Sequence, residues 1–367
     1  MYLIVGAGLS GCVLAQKIAN EFKTEVHIID RRSHIGGNIH DYIDENGIMV
    51  HTYGPHAFHT NKEKVWKYLS KFTEWKPYFH HVEGYIDGQS VPVPFNFNTI
   101  EKLFPKEYAN NLIYELIKEF GINKKVTILE LLENDKFKDL AKYVYEKVFL
   151  GYTVKQWDKK PEELDISVSA RVPIYTSRDN RYFQDKYQAI PENGYSKMIE
   201  NIIDSPLIKI NLGVDFKDID KSKYKKIIYT GMIDEYFDFS LGKLPYRSLE
   251  FKLKTIDKEY YQDTAQKNFS ANFDFTRITE YKHFLNQQTE KSTIAFEYPF
   301  DYEKGKNEPY YPIPNDENHK LYEEYRKLAD KENNTVFLGR LAEYKYYNMD
   351  QIVESALDTF EREFSAQ

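Results

Sequence analysis

MYLIVGAGLSGCVLA, residues 1–15, is typical of a strand, a glycine-rich turn and the start of a helix. A second apolar run, from Val26 to Ile29, predicts another strand that ends on Asp30. In such a βαβ unit the glycines allow a tight turn and a close approach of the backbone to a pyrophosphate, while the helix N-terminus and the acid bind phosphate and ribose. The stretch therefore predicts a Rossmann-like domain that binds a dinucleotide through Gly6, Gly8, Leu9, Ser10, Gly11 and Asp30.

The residues after Asp30 favour FAD over NAD as the dinucleotide. Arg31 and the turn Gly36-Gly37-Asn38 resemble the pattern of the large FAD-containing family that includes amine oxidases, and Gly339-Arg340 resembles that family's second flavin contact. A nicotinamide enzyme would need no such closing element. The alternative is that Arg31 and Arg32 bind a 2′-phosphate, as in NADP. The further cofactor contacts that we predict are Arg31, Gly37, Asn38, Val214, Thr230, Gly231, Gly339, Arg340, Tyr347, Asn348 and Met349.

Two later segments continue the same domain. KKIIYTG, residues 225–231, predicts a strand, and TVFLGRLAEYKYYNMDQIVESAL, residues 335–357, predicts a strand, the Gly-Arg pair and an amphipathic helix that starts near Met349. Residues 99–160 show helical periodicity, and runs with turn signals such as Asp87-Gly88 predict antiparallel sheet. We therefore predict an α/β fold with three domains: a discontinuous Rossmann-like FAD-binding domain, residues 1–77, 191–240 and 315–367; an inserted helical-bundle domain, 98–165; and an antiparallel β-sheet substrate domain, 78–97, 166–190 and 241–314.

The composition argues against several other classes of protein. Lys plus Arg come to 50 and Asp plus Glu to 57, a formal net charge of −7, so no basic surplus neutralises a nucleic-acid backbone. The single cysteine, Cys12, rules out an intramolecular disulfide framework and fits a reducing compartment. The first apolar stretch lacks the basic n-region of a signal peptide, and no other run approaches the roughly 20 residues that span a bilayer. We expect a soluble cytoplasmic protein that binds neither nucleic acid nor membrane.

HTYGPHAFHT, residues 51–60, contains three histidines around a Gly-Pro turn. His56 and His59 lie three positions apart, but no Cys, Asp or further His stands beside them at a ligand spacing, so we predict no metal site. One interpretation is that the histidines stabilise the turn through hydrogen bonds to the backbone, which would keep His56 out of a functional site.

Seven motifs, in this order, resemble those of bacterial UDP-galactopyranose mutases: YGPHAFHT, FLGYTVKQW, SARVPIY, NRYF, FTRITEYKHF, EPYYPIP and GRLAEYKYYNMD. The similarity covers the chain essentially from end to end, and these motifs are more specific than the glycine turn. The resemblance implies a three-domain FAD enzyme, usually a homodimer, that interconverts UDP-galactopyranose and UDP-galactofuranose and so supplies galactofuranose for cell-surface glycans. Acceptance of the N-acetylated sugar stays open, and so does the external reductant, for which NAD(P)H is a candidate.

The chemistry of ring contraction agrees with a flavin enzyme. The reaction requires release of UDP from the anomeric carbon, opening of the pyranose ring at O5 and attack by O4. The sequence contains no GxSxG elbow, no zinc-spaced Cys/His set and no Walker loop, so the cofactor must carry the difficult step. The family mechanism implies that N5 of reduced FAD displaces UDP from the anomeric carbon, with no net redox change.

The resemblance also implies roles for individual residues. A departing diphosphate favours bidentate, permanently charged donors, and Arg171 and Arg277 match the family's two diphosphate arginines. Gly54-Pro55-His56 matches the turn that lies against the flavin ring, so the catalytic candidates are His56, Arg171 and Arg277. The substrate-binding candidates are His59, Phe149, Tyr152, Thr153, Trp157, Tyr182, Arg247, Asn268, Glu297, Tyr311, Tyr346 and Asn348.

One position departs from the family pattern. Where many members carry an acid after the tyrosine pair, this chain has Asn348, and an amide can hydrogen-bond a sugar hydroxyl but cannot take a proton. Asp350 follows two positions later, and we expect it to be a carboxylate in the cap region of the last helix.

Two rival functions remain open at the level of the sequence. A redox enzyme of the amine-oxidase-like family would share the FAD domain, and so would a flavin-binding scaffold or sensor without turnover. Arg171 and Arg277 argue against an oxidase that acts on a neutral or cationic amine, and so do the aromatic residues Tyr152 and Trp157, which match the family's uridine pocket. The intact set of diphosphate ligands argues against a scaffold.

Overall fold

The computed structural model describes residues 1–150, 173–269 and 273–364. The chain divides into two compact units. The first unit consists of Met1–Tyr78, Asp185–Ser248 and Asp301–Gln367, and the second unit consists of Phe79–Gln184 and Leu249–Phe300. The division into three domains stays a prediction.

A five-stranded parallel sheet forms the centre of the first unit. Its strands lie in the order Ile208–Leu212, Val26–Asp30, Tyr2–Val5, Ile227–Tyr229 and Thr335–Phe337. Every neighbouring pair runs parallel. Numbered along the chain, this order is 3-2-1-4-5, which is the doubly wound order of Rossmann domains. Ligands of such sheets bind outside the carboxyl ends of the strands, where the order reverses.

Helices cover the faces of this sheet and explain why its central strands are apolar on both sides. The helices of the first unit are Leu9–Phe22, Glu63–Leu69, Tyr195–Ile202, Ile233–Tyr236, Asp316–Ala329 and Met349–Phe364. The predicted helix near Met349 is thereby confirmed. It packs against the first helix, where the ring centres of Phe22 and Phe360 lie 5.6 Å apart. The Phe364 ring also meets the edge of Tyr2 in the first strand, at 5.6 Å.

Short antiparallel strands in the first unit flank the histidine-containing turn. Asp41–Ile43 pairs with Met49–His51, and Phe58–Thr60 pairs with Tyr187–Pro191, which in turn pairs with Trp75–Pro77. The residues 52–57 therefore connect two strands that are each held by a neighbour, and the turn is fixed at both ends. Three 3₁₀ turns of this unit are Gly37–Ile39, Phe216–Asp218 and Lys221–Lys223.

The larger sheet of the protein is mixed. Its strands are Val82–Ile86, Gln89–Val93, Tyr246–Ile256, Gln266–Phe269, Arg277–Glu280, Ser292–Asp301 and Tyr311–Pro312. The predicted hairpin at Asp87-Gly88 is confirmed. The prediction of an antiparallel sheet is wrong for one pair, because Gln266–Phe269 runs parallel to Val82–Ile86. A long stretch of chain that includes the helical segment joins these two strands, and such a crossover permits parallel pairing where a hairpin would not.

The helical segment of the second unit has its own apolar core. Its helices are Phe97–Leu103, Lys106–Phe120, Ile128–Glu133 and Lys138–Val144, followed by a π-helical turn, Tyr145–Leu150. Asn96 and Thr127 begin their helices with capping boxes, and Gly121 ends the helix before it at a φ of 81°. Among the described residues, no helix is both long enough and apolar enough to cross a membrane.

Candidate functional site

A cleft of about 430 Å³ lies at the carboxyl ends of the parallel strands in the first unit. This volume is typical of small-molecule sites. Three of the predicted cofactor contacts, Gly11, Gly339 and Asn348, do not line the cleft. The predicted contacts that do line it are Gly6, Gly8, Leu9, Ser10, Asp30, Arg31, Gly37, Asn38, Val214, Thr230, Gly231, Arg340, Tyr347 and Met349.

The physical reason for glycine differs from one position of the turn to another. A Cβ at Gly6 would lie 2.0 Å from Thr230 Oγ1, and one at Gly11 would lie 2.2 Å from the carbonyl oxygen of Gly6, so both positions are closed by the protein itself. Gly8 is different, because the nearest protein atom to a Cβ there is Gly37 Cα at 3.8 Å. Gly8 also lines the cleft. The protein needs no glycine at this position for its own packing, so the missing side chain leaves room for a ligand.

The first helix presents its N-terminus to the cleft. Gly8 is its N-cap residue, and the first turn contains no acidic side chain. The backbone N–H groups of such an end and the helix dipole favour an anion, as the pyrophosphate of a dinucleotide would provide.

Asp30 ends the second strand with its carboxylate at the cleft. Its two oxygens accept the backbone N–H groups of Ala7 and Arg32, each at 2.8 Å. These bonds join the glycine turn to the second strand. Because each carboxylate oxygen can accept more than one hydrogen bond, the predicted role toward a ribose hydroxyl is compatible with this structural role.

The two arginines after Asp30 are paired with acids of the first unit. Arg31 lies 3.5 Å from Glu235 and 3.6 Å from Glu308, and Arg32 lies 2.7 Å from Glu308. Burial acts to raise the pKa of Glu308, but Arg32 and Arg31 lower it overall. The paired acids offset the two positive charges, and this arrangement disfavours the alternative in which the arginines bind a 2′-phosphate.

Sequence reasoning missed one wall of the cleft. Beyond Val214, this wall includes Asp215, Phe216, Lys217, Lys221, Tyr229, Met232, Glu235, Tyr236 and Asp238, and Glu308 lines the cleft as well. The Phe216 and Tyr236 rings are stacked, with centres 5.8 Å apart. The strand Ile227–Tyr229 could have indicated this wall. It runs parallel to the first strand and lies next to it, so the residues that follow it reach the same edge of the sheet as the glycine turn.

Arg340 joins the cleft to two predicted substrate tyrosines. Its Nη2 donates to the carbonyl oxygen of Tyr347 at 2.5 Å, and its Nη1 donates to that of Tyr310 at 3.3 Å. The guanidinium lies 4.9 Å from the ring centre of Tyr346 and 5.4 Å from that of Tyr311. These two rings are themselves 5.6 Å apart and nearly parallel. The structure thus gathers Tyr311 and Tyr346 at one side of the cleft.

The residues after the tyrosine pair cap the last helix. The backbone N–H of Asn348 donates to Gln351 Oε1 at 2.8 Å, and the Asn348 side chain is exposed. Asp350 accepts the Gln351 backbone N–H at 2.8 Å through one oxygen and the Thr60 hydroxyl at 2.9 Å through the other. Asp350 therefore lies in the cap region, as expected.

The side chains of the three histidines around the turn make different contacts. His56 lines the cleft, and its Nδ1 donates to the carbonyl oxygen of Gly54 at 2.8 Å. The structure thus combines the hydrogen bonds of a stabilised turn with a position at the cleft. His59 Nδ1 lies 2.9 Å from Asp185, and burial lowers the pKa of His51 to about 3. Among the residues that the structure describes, no cluster of His, Cys, Asp and Glu could hold a metal ion.

One predicted catalytic residue and two predicted substrate-binding residues form a row in the second unit. Asn268, Arg277 and Glu297 are register partners on neighbouring strands. Arg277 Nε lies 3.0 Å from Glu297 Oε1, and the Thr276 hydroxyl donates to the same oxygen at 2.7 Å. Glu297 is 2% exposed, so its charge contact with Arg277 is largely shielded from water, although the Nε–H is not aligned for a hydrogen bond to the carboxylate.

The other candidates that the structure describes belong to other segments of the chain. In the first unit, Arg247 is buried, pairs with Asp301 and lies opposite Tyr311 on the adjoining strand. In the second unit, the Tyr182 ring is partly exposed beside His80. The Phe149 backbone belongs to the π-helical turn. Four candidates lie outside the described residues: Tyr152, Thr153, Trp157 and Arg171.

Comparisons with known proteins agree with these observations. Residues 147–346 match a family model described as UDP-galactopyranose mutase, and residues 4–72 match one described as an NAD(P)-binding Rossmann-like domain. A "Probable UDP-galactopyranose mutase" of Klebsiella pneumoniae is 37% identical over 97% of this chain and 93% of its own length. A dTDP-fucopyranose mutase of Escherichia coli is 33% identical over 97% and 96%.

Solved structures support the fold. A reduced UDP-galactopyranose mutase superposes with a TM-score of 0.77 at 16% identity, over all of this chain and 94% of its own length. A redesigned putrescine oxidase has a TM-score of 0.59 at 9% identity, over all of this chain and 99% of its own, so redox enzymes share the architecture. The predicted α/β fold with a Rossmann-like domain is confirmed, and the matches support FAD as the cofactor. Since the 37% identity extends over nearly the whole chain, the protein belongs to the UDP-galactopyranose mutase family.

Proposed function

We propose that this protein is an FAD-dependent isomerase that interconverts UDP-galactopyranose and UDP-galactofuranose without net redox change. The observation that carries this proposal is the family match. It includes the row Asn268–Arg277–Glu297, and the match to the Klebsiella pneumoniae relative covers 97% of the chain. The redox alternative rests on the shared fold alone, and a fold does not determine chemistry.

The residues of the cleft fit FAD. The open space beside Gly8, the N-terminus of the first helix and the carboxylate of Asp30 offer places for a pyrophosphate and a ribose. Arg340 and Tyr347 would hold the cofactor from the other side of the cleft. When bound and reduced, FAD supplies a nucleophile for the anomeric carbon of the sugar.

The first unit contributes orientation and hydrogen bonding. Tyr311 and Tyr346 are ordered by stacking against the Arg340 guanidinium, and their hydroxyl groups are suited to bind phosphate oxygens. His56 brings a ring nitrogen to the cleft wall. Asn348, as an amide, is limited to hydrogen bonding with the sugar or cofactor and cannot transfer a proton.

The second unit contributes charge for the leaving group. Arg277 remains protonated at all working pH values, and its planar guanidinium suits a diphosphate. The buried Glu297 carboxylate lies 3.0 Å from Nε, and this charge contact restricts Arg277 before substrate binds, so less side-chain entropy is lost at that step. Arg171, whose surroundings are not described, would be the second diphosphate ligand by resemblance.

The decisive test is turnover with the flavin in each redox state. Purified protein would be incubated with UDP-galactofuranose, with and without dithionite, and conversion to the pyranose followed by chromatography. A parallel reaction with dTDP-fucofuranose tests whether the protein instead accepts the kind of nucleotide sugar that the name of the Escherichia coli relative indicates. We expect conversion of the UDP-sugar only after reduction, and no oxidised sugar product.

Three other outcomes would change the conclusion. No conversion of either sugar under reducing conditions would contradict the mutase proposal. Conversion of only the dTDP-sugar would keep the ring contraction but replace the substrate. Bleaching of the flavin by amines or alcohols in the absence of conversion would favour the redox alternative.

Several further properties are proposed from the family and from the sequence. We propose a homodimer in the cytoplasm, with an external reductant of the NAD(P)H type and no nucleic-acid partner. The galactofuranose product would serve cell-surface glycans. Acceptance of the N-acetylated sugar can be measured in the same chromatographic assay.

A further inference from the structure

The peptide groups on both sides of His56, in the loop that lines the dinucleotide cleft, are held by two buried side chains. The His56 N–H donates to His51 Nδ1 at 3.0 Å, and the Tyr195 hydroxyl donates to the His56 carbonyl oxygen at 3.2 Å. We propose that His51 and Tyr195 are positioning residues, which clamp the loop Gly54-Pro55-His56 against bound flavin and so set the flavin's reactivity. The inference rests on the proposed cofactor.

The protonation state of His51 is fixed by its hydrogen bond. Nδ1 accepts an N–H, so it carries the lone pair, and the ring proton must be on Nε2. His51 is 2% exposed, and burial lowers its pKa to about 3. The ring is therefore neutral near pH 7, and its acceptor atom is retained across the working range of the enzyme.

The His56 side chain is oriented by the same loop. Its Nδ1 lies 2.8 Å from the carbonyl oxygen of Gly54, which can only accept, so Nδ1 is the protonated nitrogen. Gly54 has a φ of 90°, a conformation that favours glycine. In the neutral ring the lone pair is consequently on Nε2. The Gly54 carbonyl thus determines which nitrogen of the neutral, cleft-lining His56 ring can accept a hydrogen bond.

Tyr195 is anchored well away from the loop in sequence. It begins the helix Tyr195–Ile202, and its backbone N–H donates to Asp41 at 2.6 Å. The next N–H, of Ser196, donates to the other Asp41 oxygen at 2.8 Å. A carboxylate at a helix N-terminus is a favourable arrangement. The Tyr195 ring also packs edge-on against His51 at 5.6 Å, so both parts of the clamp support each other.

The structure offers variants that change single atoms of the clamp. Tyr195→Phe removes one hydroxyl and keeps the ring, while His51→Leu removes the acceptor and His51→Asn retains one close to the position of Nδ1. Tyr325→Phe is the matched control. Tyr325 is also fully buried in the first unit, its hydroxyl donates to the Gly242 carbonyl oxygen at 2.6 Å, and it does not line the cleft.

The readouts are the midpoint potential and visible spectrum of the bound flavin, kcat and KM for the UDP-sugar, and the thermal midpoint. Loss of one hydrogen bond is expected to lower kcat about two- to tenfold in Tyr195→Phe and His51→Leu, with a shifted flavin potential and an unchanged KM. His51→Asn should restore both values. Tyr325→Phe should lower the thermal midpoint without changing the flavin.

The proposal is overturned if Tyr195→Phe and His51→Leu keep the wild-type potential and kcat, or if Tyr325→Phe changes them equally. Should His51→Leu fail to fold, Tyr195→Phe and His51→Asn still decide the question. Wild-type protein that binds flavin but lacks mutase turnover would contradict the proposed function alone, because the potential and spectrum still test the clamp. Wild-type protein that binds no flavin would refute both.

Discussion

Alanine at two glycines of the same turn should separate cofactor binding from folding. Gly11→Ala should damage the fold, and Gly8→Ala should leave the fold intact but weaken FAD binding. The contrast follows from what a Cβ meets at each position, which is protein backbone at Gly11 and open cleft at Gly8.

The cost at Gly11 comes from fixed neighbours. The added carbon would lie 2.2 Å from the carbonyl oxygen of Gly6 and 2.9 Å from Ile4 Cγ2 in the central strand. Overpacking of this kind costs about 1–3 kcal/mol or more, and the gain in helix propensity from Gly to Ala is about 1 kcal/mol. Because the contact with Gly6 is far inside van der Waals distance, we expect a net loss of about 2 kcal/mol or more. Gly11→Val should be worse and should lose FAD together with the fold.

At Gly8 the backbone already suits alanine. Its φ of −82° and ψ of 179° are extended values that any residue adopts, and the nearest protein atom to a Cβ lies at 3.8 Å. The substitution should leave the stability of the flavin-free protein unchanged, or raise it by about 0.4–1 kcal/mol through the unfolded state. The methyl group enters the space that we assign to the cofactor, so FAD affinity should fall at least about tenfold, or ~1.4 kcal/mol.

Urea unfolding of the flavin-free proteins and titration with FAD measure the two effects independently. Wild-type FAD affinity in Gly8→Ala would show that the cofactor does not approach this part of the turn. Wild-type stability in Gly11→Ala would refute the argument from the close contact with Gly6.

Three further substitutions test other parts of the structure. Arg277→Ala should lower turnover about 10²–10³-fold while the protein stays yellow. The control is Arg178→Ala, which should keep wild-type turnover because Arg178 is exposed and paired with Glu101. A fully active Arg277→Ala variant would refute the diphosphate role of Arg277. Burial raises the pKa of Asp234 to about 6, against the opposing backbone hydrogen bonds, so the folded state binds the Asp234 proton more tightly than the unfolded state does. The protonated carboxyl therefore contributes its full stabilisation below the unfolded pKa of about 3.8. This stabilisation is lost as the pH rises through 6. Between pH 4 and pH 8, the free energy of unfolding measured in urea should therefore fall by about 2 kcal/mol more in the wild type than in Asp234→Asn. Parallel profiles would contradict the burial argument. Arg340→Ala should weaken FAD binding at least about tenfold, since the guanidinium holds two carbonyl oxygens and contacts two tyrosine rings. An unchanged FAD titration would remove Arg340 from the cofactor site.

The parts of the site that were predictable have local signals. The strand, glycine turn, helix and Asp30 follow one another within a single βαβ unit, so spacing alone identifies them. The glycine at position 339 also has a local explanation, because its φ of 101° is a conformation that favours glycine. The residue predictions made by resemblance reached the row Asn268–Arg277–Glu297, whose members meet only because the strand register aligns them.

The parts that were missed depend on tertiary structure. Tyr195 reaches the His56 carbonyl across more than a hundred residues of sequence, and no local pattern marks it as a neighbour. The acids that pair with Arg31 and Arg32, Glu235 and Glu308, likewise come from distant segments. The sequence alone therefore did not show that the two positive charges are offset. The parallel pairing of Gln266–Phe269 with Val82–Ile86 was missed because the alternation of apolar and polar residues in a strand does not indicate the direction of its neighbour.

The packing of the last helix on the first has a consequence for biosynthesis. The rings of Tyr2 and Phe22 pack against phenylalanines of Met349–Phe364, so the opening βαβ unit leaves the ribosome long before its covering helix exists. At 5–20 residues per second that interval is roughly 20–70 s. The second unit, which ends at Phe300, can be translated completely within this time. Arg340 also emerges late, so we expect the nascent chain to capture its cofactor only after residue 340 has been translated.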